Sequence, residues 1–165
     1  MGLSKLLYDK FRNLRSKLII CFFKSVYGAK FQTEEGLYVR KGFTVTIEEN
    51  GFISIGRDVF FNNFCSLNAL EEIEIGDDCI FGENVHIYDH NHKYSNKSIP
   101  VNSQGFTKKK VSVGSNTWVG SNVVILKGVS IGKHCVIGAG CVVFKDVPEN
   151  HVLVCKQGLM EQRKI

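Results

Sequence analysis

Apolar residues recur at every sixth position through the second half of the chain. Val113, Val119, Ile125, Ile131, Ile137 and Val143 follow one another at this step within VSVGSNTWVGSNVVILKGVSIGKHCVIGAGCVVFKD. Gly114, Gly120, Gly132 and Gly138 come directly after four of them, and Leu126 follows Ile125. Four places after each of the first five stands a small or β-branched residue: Thr117, Val123, Val129, Cys135 and Cys141. A helix requires apolar positions about 3.6 apart, and a flat amphipathic strand requires every second one. A six-residue period with a turn signal in each unit fits neither. It fits a parallel β-helix, in which three short strands make one coil and coils stack. The large aliphatic side chain points inward, the small residue fits near the corner, and Gly or a polar residue turns the chain, often at φ > 0. Backbone groups then pair with the coils above and below, without hairpins.

The same step appears earlier. Ile55-Gly56 leads to Phe61 and Leu67, a two-residue slip falls at Ala69–Glu72, and Ile75-Gly76, Phe81-Gly82 and Ile87 resume it. Six hexads before residue 93 and six after 110 predict about four coils, with strands beginning at Phe43. Between them, residues 89–110 (DHNHKYSNKSIPVNSQGFTKKK) have no rhythm. A loop this long in a regular solenoid points to a task. After Val143, KDVPENH with Pro148 ends the regular strands, and residues 149–165 fit a short helix or an arm.

Residues 3–26 read as an amphipathic helix. Leu3, Leu6, Leu7, Phe11, Leu14, Leu18 and Phe22 form its apolar stripe, with Lys5, Lys10, Arg12, Arg15 and Lys17 largely between them. The helix has two compatible readings: a cap over the open end of the coils, which any solenoid needs, and docking on an anionic membrane surface. The expected organisation is one domain over residues 1–165. Its parts are an N-terminal helix in 1–30, a β-helix in 43–148 with its loop at 89–110, and a tail in 149–165.

Composition narrows this modestly. The 165 residues carry a formal charge of +5, which suits an anionic ligand or membrane surface without demanding nucleic acid. No apolar run approaches the ~20 residues of a transmembrane helix. Leu18–Phe23 is too short for a signal-peptide core, and no small-residue cleavage site follows it. Of six cysteines, Cys65, Cys79, Cys135 and Cys141 occupy small-residue places of hexads, and there is no CxxC. They read as free buried thiols of a reducing cytoplasm rather than zinc ligands.

The inside of a coil is filled with aliphatic side chains, so a site lies outside it or between subunits. His92 stands at the root of the aperiodic loop. A neutral imidazole there suits a general base toward a hydroxyl. His90 is two residues earlier and is taken to point to the opposite side, and Asp89 is placed to orient an imidazole. All three are equally readable as ordinary loop polars. His86, His90 and His92 are close in sequence, but the β-helix carbonic anhydrases hold zinc with one His far upstream of a close pair, and no His precedes His86. No metal is expected.

The hexads, the DHNH loop and the block NTWVGSNVVILKGVSIGKHCVIGAGCVVFKDVP together resemble the hexapeptide-repeat acyltransferases. The likeness covers roughly residues 45–148 and is greatest to the maltose/galactoside acetyltransferase-like branch, which includes sugar O-acetyltransferases of surface-polysaccharide clusters. It implies an all-β fold: a left-handed parallel β-helix of hexapeptide repeats with an N-terminal amphipathic helix and an extended loop. It implies a cytoplasmic homotrimer with acetyl-CoA in three sites at three interfaces. The reaction would be direct transfer of acetyl to a saccharide hydroxyl, without an acyl-enzyme. In IYDHNH the second histidine falls at the family's catalytic position, which makes His92 the base. The backbone N–H of Ser121, in WVGS, takes the place of the oxyanion donor. Asn63, in FFNNF, matches an asparagine that contacts the acceptor sugar, and Asp89 and His90 would stand beside it. Trp118 would line the acetyl and pantetheine channel, and Gly138, Ala139 and Gly140 would let the cofactor lie close to backbone. Asn63 and Gly138–Gly140 read equally as turn residues, and Trp118 as interface packing.

The chain departs from the family at its end. The family's G-[NV]-P-A-[RK]-[VL] run, which helps hold the CoA nucleotide, is replaced by VCKQGLMEQRKI. Lys145, Lys156, Arg163, Lys164 and the run Lys108–Lys110 are the candidate phosphate contacts. The rivals to a saccharide O-acetyltransferase are an acetyltransferase of another acceptor such as an antibiotic, a metal-dependent hydratase, and a non-catalytic scaffold at a membrane.

Overall fold

The six-residue step folds into a stack of three-sided coils. The computed structural model describes residues 3–156 and 159–164. Helix α1 (Leu3–Tyr27) comes first. Five coils follow, with strands at Phe31–Thr33, Tyr38–Val39 and Thr44–Ile47, then Phe52–Ile55, Phe60–Phe61 and Ser66–Ala69, then Glu72–Ile75, Ile80–Phe81 and His86–Tyr88. The fourth coil has strands at Val111–Val113, Trp118–Val119 and Val124–Ile125, and the fifth at Ser130–Ile131, Val136–Ile137 and Val142–Val143. First strands pair in parallel with first strands, second with second and third with third, which gives a prism with three faces. Register keeps like residues in columns: Ile55, Ile75, Val113 and Ile131 on the first face, Phe61, Phe81, Val119 and Ile137 on the second, and Leu67, Ile87, Ile125 and Val143 on the third. All are buried, and the Phe61 and Phe81 rings stack with centroids 4.3 Å apart.

The stack has five full coils and part of a sixth where four were expected, because strands begin at Phe31 rather than Phe43 and continue through Val147 past Pro148 to His151–Lys156. The six-residue step is present at the start as Thr33, Val39 and Val45, but no Gly follows these residues. The place four later holds Leu37 and Phe43 instead of a small residue. The reason is that a helix, not another coil, lies on this end. Ile19, Ile20, Phe23 and Tyr27 of α1 pack on the core. The Phe23 ring meets Phe31 and Phe43 edge-on at 6.2 and 6.1 Å. Buried Ser16 accepts a hydrogen bond from the Val39 N–H at 2.9 Å. The helix is therefore a cap, but through a different face from the one expected. Leu7, Phe11, Leu14, Leu18 and Phe22 are each more than half exposed and point away from the coils. The side chains of Leu3 and Leu6 lie outside the described residues.

Glycine both turns the chain and lets the coils approach. Gly36, Gly42, Gly128 and Gly140 are themselves left-handed, with φ between 73° and 79°. At six other corners the left-handed residue stands two places after the glycine: Asp58, Asp78, Asn84, Asn116, Asn122 and His134, with φ between 53° and 60°. Asn and Asp tolerate that region better than other side chains. At these corners the glycine is needed for close approach. A Cβ on Gly114 would lie 2.5 Å from the Lys133 N, and one on Gly82 would lie 2.6 Å from the Ser121 N.

All departures from the six-residue step fall at the corner between the third face and the first. The chain spends extra residues there at Glu48–Gly51, at Leu70–Glu71 and in the long excursion after Tyr88. The root of that excursion is an antiparallel ribbon, with His90–His92 against Phe106–Lys108. At the far end, the tail forms strands rather than a helix. His151–Lys156 extends the second face beside Val136–Ile137, and Leu159–Lys164 pairs antiparallel to it, so Val136–Ile137 is not left as an edge. No helix among the described residues is long and apolar enough to cross a membrane.

The thiols at small-residue places are free and buried. Cys65 Sγ donates to the Gly82 carbonyl at 3.1 Å and Cys79 Sγ to the Gly114 carbonyl at 3.3 Å. Burial pushes both up to about 11, and burial together with Cys155 pushes Cys141 up to about 12. The neutral thiol is thus the folded form, and its contribution to stability is present below pH 9 and lost as pH rises toward 11. We expect a thiol reagent at pH 8 to label exposed Cys21 at once, and Cys65, Cys79 and Cys141 only after unfolding. The urea midpoint should fall between pH 9 and 10.5; fast labelling of all thiols in the folded chain would contradict this packing.

Candidate functional site

The corner between the second and third faces forms a continuous ridge. From coil to coil it carries Arg40-Lys41, Asn62-Asn63, Gly82-Glu83, Gly120-Ser121 and Gly138-Ala139. Three residues expected from the sequence to serve acceptor, oxyanion and cofactor thus stand in one line. Hydrogen bonds tie the line together. Asn63 Nδ2 donates to Glu83 Oε1 at 2.8 Å, the Glu83 N–H donates to Ser121 Oγ at 3.1 Å, and the Gly140 N–H donates to the Ser121 carbonyl at 2.9 Å. The Ser121 N–H itself meets no acceptor among the described residues. A backbone donor left open at a half-buried corner is what a developing oxyanion needs. Ala139 and Gly140 are exposed, and a Cβ on Gly140 would meet nothing within 4 Å. Glu83, which joins Asn63 to Ser121, has no signal in the sequence beyond its place in a hexad.

The histidines occupy the opposite edge of the third face. Asp89 is fully buried, and its carboxylate accepts from the Leu70 N–H at 2.9 Å and the Glu71 N–H at 2.7 Å. Its Oδ1 also lies 2.9 Å from His90 Nδ1. Both carboxylate oxygens are thus engaged at the loop root, where Asp89 also faces the His90 ring. His90 and His92 do not point to opposite sides. Residues two apart on a strand share a side, and the two rings flank Phe106, with centroids 5.3 and 4.5 Å from it. Both line a cavity of about 220 Å³ with Thr46, Glu48, Asn68 and Tyr88. His92 is exposed, while His90 is half-buried. His86 is held apart from them, its Nδ1 2.7 Å from Ser66 Oγ. Phe106 carries no signal in the sequence because its register partner, His92, lies fourteen residues away, beyond any local pattern.

Trp118 stands on neither edge. It projects from the second face, 56% exposed, beside a cavity of about 300 Å³ that it shares with Ile80, His134 and Val136. Lys145 is exposed beyond the last strand of the third face, its Nζ 5.8 Å from the Phe144 ring centre, away from Gly138–Gly140. Lys108 pairs with Glu49, and Lys110 pairs with Glu72 at 2.8 Å and Glu74 at 2.5 Å. Hydrogen bonds to these carboxylates raise the Lys110 pKa. The two lysines clamp the loop root rather than wait for an anion. The side chains of Lys156, Arg163 and Lys164 lie outside the described residues.

Residues 110–145, the fourth and fifth coils, match the family model described as bacterial transferase hexapeptide (six repeats). The match is to the repeats of these two coils. A Mycobacterium tuberculosis protein named a probable acetyltransferase is 32% identical over 97 residues, which is 58% of this chain and 32% of that protein. The chain thus spans about a third of that relative's length. An Escherichia coli protein named as a lipopolysaccharide biosynthesis O-acetyl transferase is 29% identical over 150 residues, 87% of this chain and 76% of its own. Among solved structures, a galactoside acetyltransferase in complex with coenzyme A superposes with a TM-score of 0.71 at 25% identity, over 94% of this chain and 80% of that one.

Placed in this hexapeptide frame, the site is divided. The ridge and the histidines bound the third face on its two edges, and six residues of extended chain, roughly 20 Å, separate Asn84 from His90. Within one chain, His92 and Trp118 line different cavities, and Ser121 stands on the other edge of the third face.

Proposed function

We propose that this chain is an acetyl-CoA-dependent O-acetyltransferase acting on a saccharide hydroxyl in surface-polysaccharide biosynthesis, on the cytoplasmic side. The observation that carries the reading is the ridge: an open Ser121 N–H between Asn63 on one side and the exposed Ala139-Gly140 backbone on the other. Exposed His92 supplies the base that the ridge lacks. The imidazole takes the proton of the acceptor hydroxyl as that oxygen attacks the thioester carbonyl. The Ser121 N–H receives the negative charge on the carbonyl oxygen. Collapse forms the acetyl ester and releases CoA thiolate, which recovers the proton from the imidazolium.

The division of the site supports a homotrimer in which one subunit brings His92 to the ridge of the next, three sites to a trimer. Trp118, exposed on the second face, would lie against the neighbour and line the acyl channel. The exposed stripe of α1 supports a further assignment. Leu7, Phe11, Leu14, Leu18 and Phe22 are bordered along one side by Lys10, Lys17 and Lys24, all exposed. An apolar stripe edged by cations fits an anionic membrane surface.

His92→Ala should lower kcat by ~10²–10⁴-fold with CoA binding unchanged, since His92 is exposed and its ring packs at the loop root beside Phe106, apart from the ridge. Transfer at the wild-type rate would remove the base from the mechanism. Ala139→Trp, which fills the exposed cofactor side of the ridge, should also be inactive. Co-refolding the two inactive variants should restore about a quarter of the sites, because only junctions with an intact His92 on one side and an intact ridge on the other work. No recovery would place the whole site in one chain. On vesicles, Leu18→Asp with Phe22→Asp should abolish flotation with phosphatidylglycerol while leaving the oligomer unchanged in size; a smaller oligomer would assign the stripe to subunit packing instead.

A further inference from the structure

The ridge does not end at Asn63. One coil further, toward the helix, it reaches Arg40 and Lys41, and there α1 leans over it with Tyr8, Arg12 and Arg15. These six residues enclose a cavity of about 210 Å³. Four of them are cationic. Arg12 has a carboxylate, Asp9, at 3.6 Å, and its Nε donates to the Tyr38 hydroxyl at 3.1 Å. Arg40 donates from one terminal nitrogen to Asn62 Oδ1 at 3.0 Å and lies over the Phe60 ring at 5.3 Å. Lys41 has only the Phe64 ring, at 5.8 Å, among the described residues. Glu83, the other carboxylate nearby, is engaged by Asn63. The cavity wall thus carries more positive charge than its neighbours neutralise.

A second observation is independent of charge counting. Arg15 Nε and Arg40 Nε are both buried and have no hydrogen-bond partner among the described residues. Buried donors are nearly always satisfied by protein, water or a ligand. Here two of them belong to arginines on opposite walls of one cavity, one from the helix and one from the first coil. No other corner of the ridge presents such a pair: the corresponding places hold Asn62-Asn63, Gly82-Glu83, Gly120-Ser121 and Gly138-Ala139.

We propose that this cavity binds a phosphate or diphosphate ester, and that the ester is the anionic end of the acceptor. Planar guanidinium groups on opposite walls match the several oxygens of a phosphate better than single ammonium charges do. The space admits such a group but not a whole sugar nucleotide, so the rest of the acceptor extends out of it. Asn63 is shared by the cavity and the ridge. Ser121 is two coil steps beyond it, about 10 Å at the spacing of neighbouring strands. The sugar is then held between its phosphate and the hydroxyl that reacts. This substrate class, a saccharide already carrying a phosphate ester, rests on the acetyl-transfer reading; the anion site itself does not.

Calorimetry on the full chain with inorganic pyrophosphate as the probe tests the site. Saturable binding is expected, weakened about tenfold or more by Arg15→Gln and by Arg40→Gln. Lys133→Gln, which alters a cation paired with Glu149 at a different corner, should leave it unchanged. No saturable binding, or equal weakening by Lys133→Gln, overturns the site. Should Arg40→Gln melt early, Arg15→Gln, on the helix and outside the core, carries the comparison. Competition arms separate the sources. A uridine diphosphate sugar should displace pyrophosphate. Glucuronate doing so equally well would overturn the phosphate assignment, and displacement by phosphatidylglycerol vesicles alone would overturn the acceptor assignment. In the acetyl-transfer assay, Arg15→Gln should raise KM for a phosphorylated sugar and leave the unphosphorylated sugar unaffected. Pyrophosphate binding that both arginines control, with no acetyl transfer to any sugar, would keep the site and remove the enzymatic reading.

Discussion

Backbone meeting backbone at the glycine corners is the contact on which the rest of the molecule depends. Gly82 lies under Ser121, Gly120 under Ala139 and Gly114 under Lys133 so closely that a single Cβ would strike main chain at 2.5–2.7 Å. This approach sets the coil spacing, and the spacing sets everything on the surface. Ser121 stands where it does because the corner below it has no side chain. The hydrogen bonds from Glu83 to Ser121 and from Gly140 to Ser121 then run along the ridge instead of into solvent. The aliphatic columns inside supply cohesion through burial, but they would tolerate small shifts that the ridge would not.

Charge is distributed along the same axis with some order. At the loop root, lysines are spent on carboxylates: Lys108 on Glu49, and Lys110 on Glu72 and Glu74. At the helix end of the ridge they are not, and Arg15, Arg40 and Lys41 gather with little to oppose them. The two basic groups are alike in composition and opposite in chemistry. One closes a loop, and the other leaves an electrostatic field directed at the line of Asn63 and Ser121.

Much of this was legible in the sequence because a six-residue period is a strict geometric rule. Ile55, Ile75, Val113 and Ile131 declared one column before any coordinates did, and the cysteines at the small-residue places fell where they were expected. The first coil was missed because Thr33 and Val39 lack the following glycine, which a coil facing a helix does not need. The helix was placed correctly but turned around. Both its faces are apolar, and only contact with Phe31 and Phe43 decides that Ile19, Ile20 and Phe23 face inward. Asp89 looked like a loop polar with chemistry to offer, and its burial beneath Leu70 and Glu71 depends on a neighbouring coil nineteen residues back. The basic cavity was invisible, since Arg12 and Arg15 meet Arg40 and Lys41 only after the helix folds over the coil.

The extra residues of the coils all leave at the same edge of the prism, between the third face and the first. The edge bearing Asn63, Ser121 and Ala139 keeps its six-residue count without exception. A chain built this way separates what is allowed to vary from what is not. Insertions at the permissive edge can lengthen or reshape the loop that carries His92 while the other edge keeps its register, so new substrates can be accommodated without recalibrating the surface on which a common donor would lie.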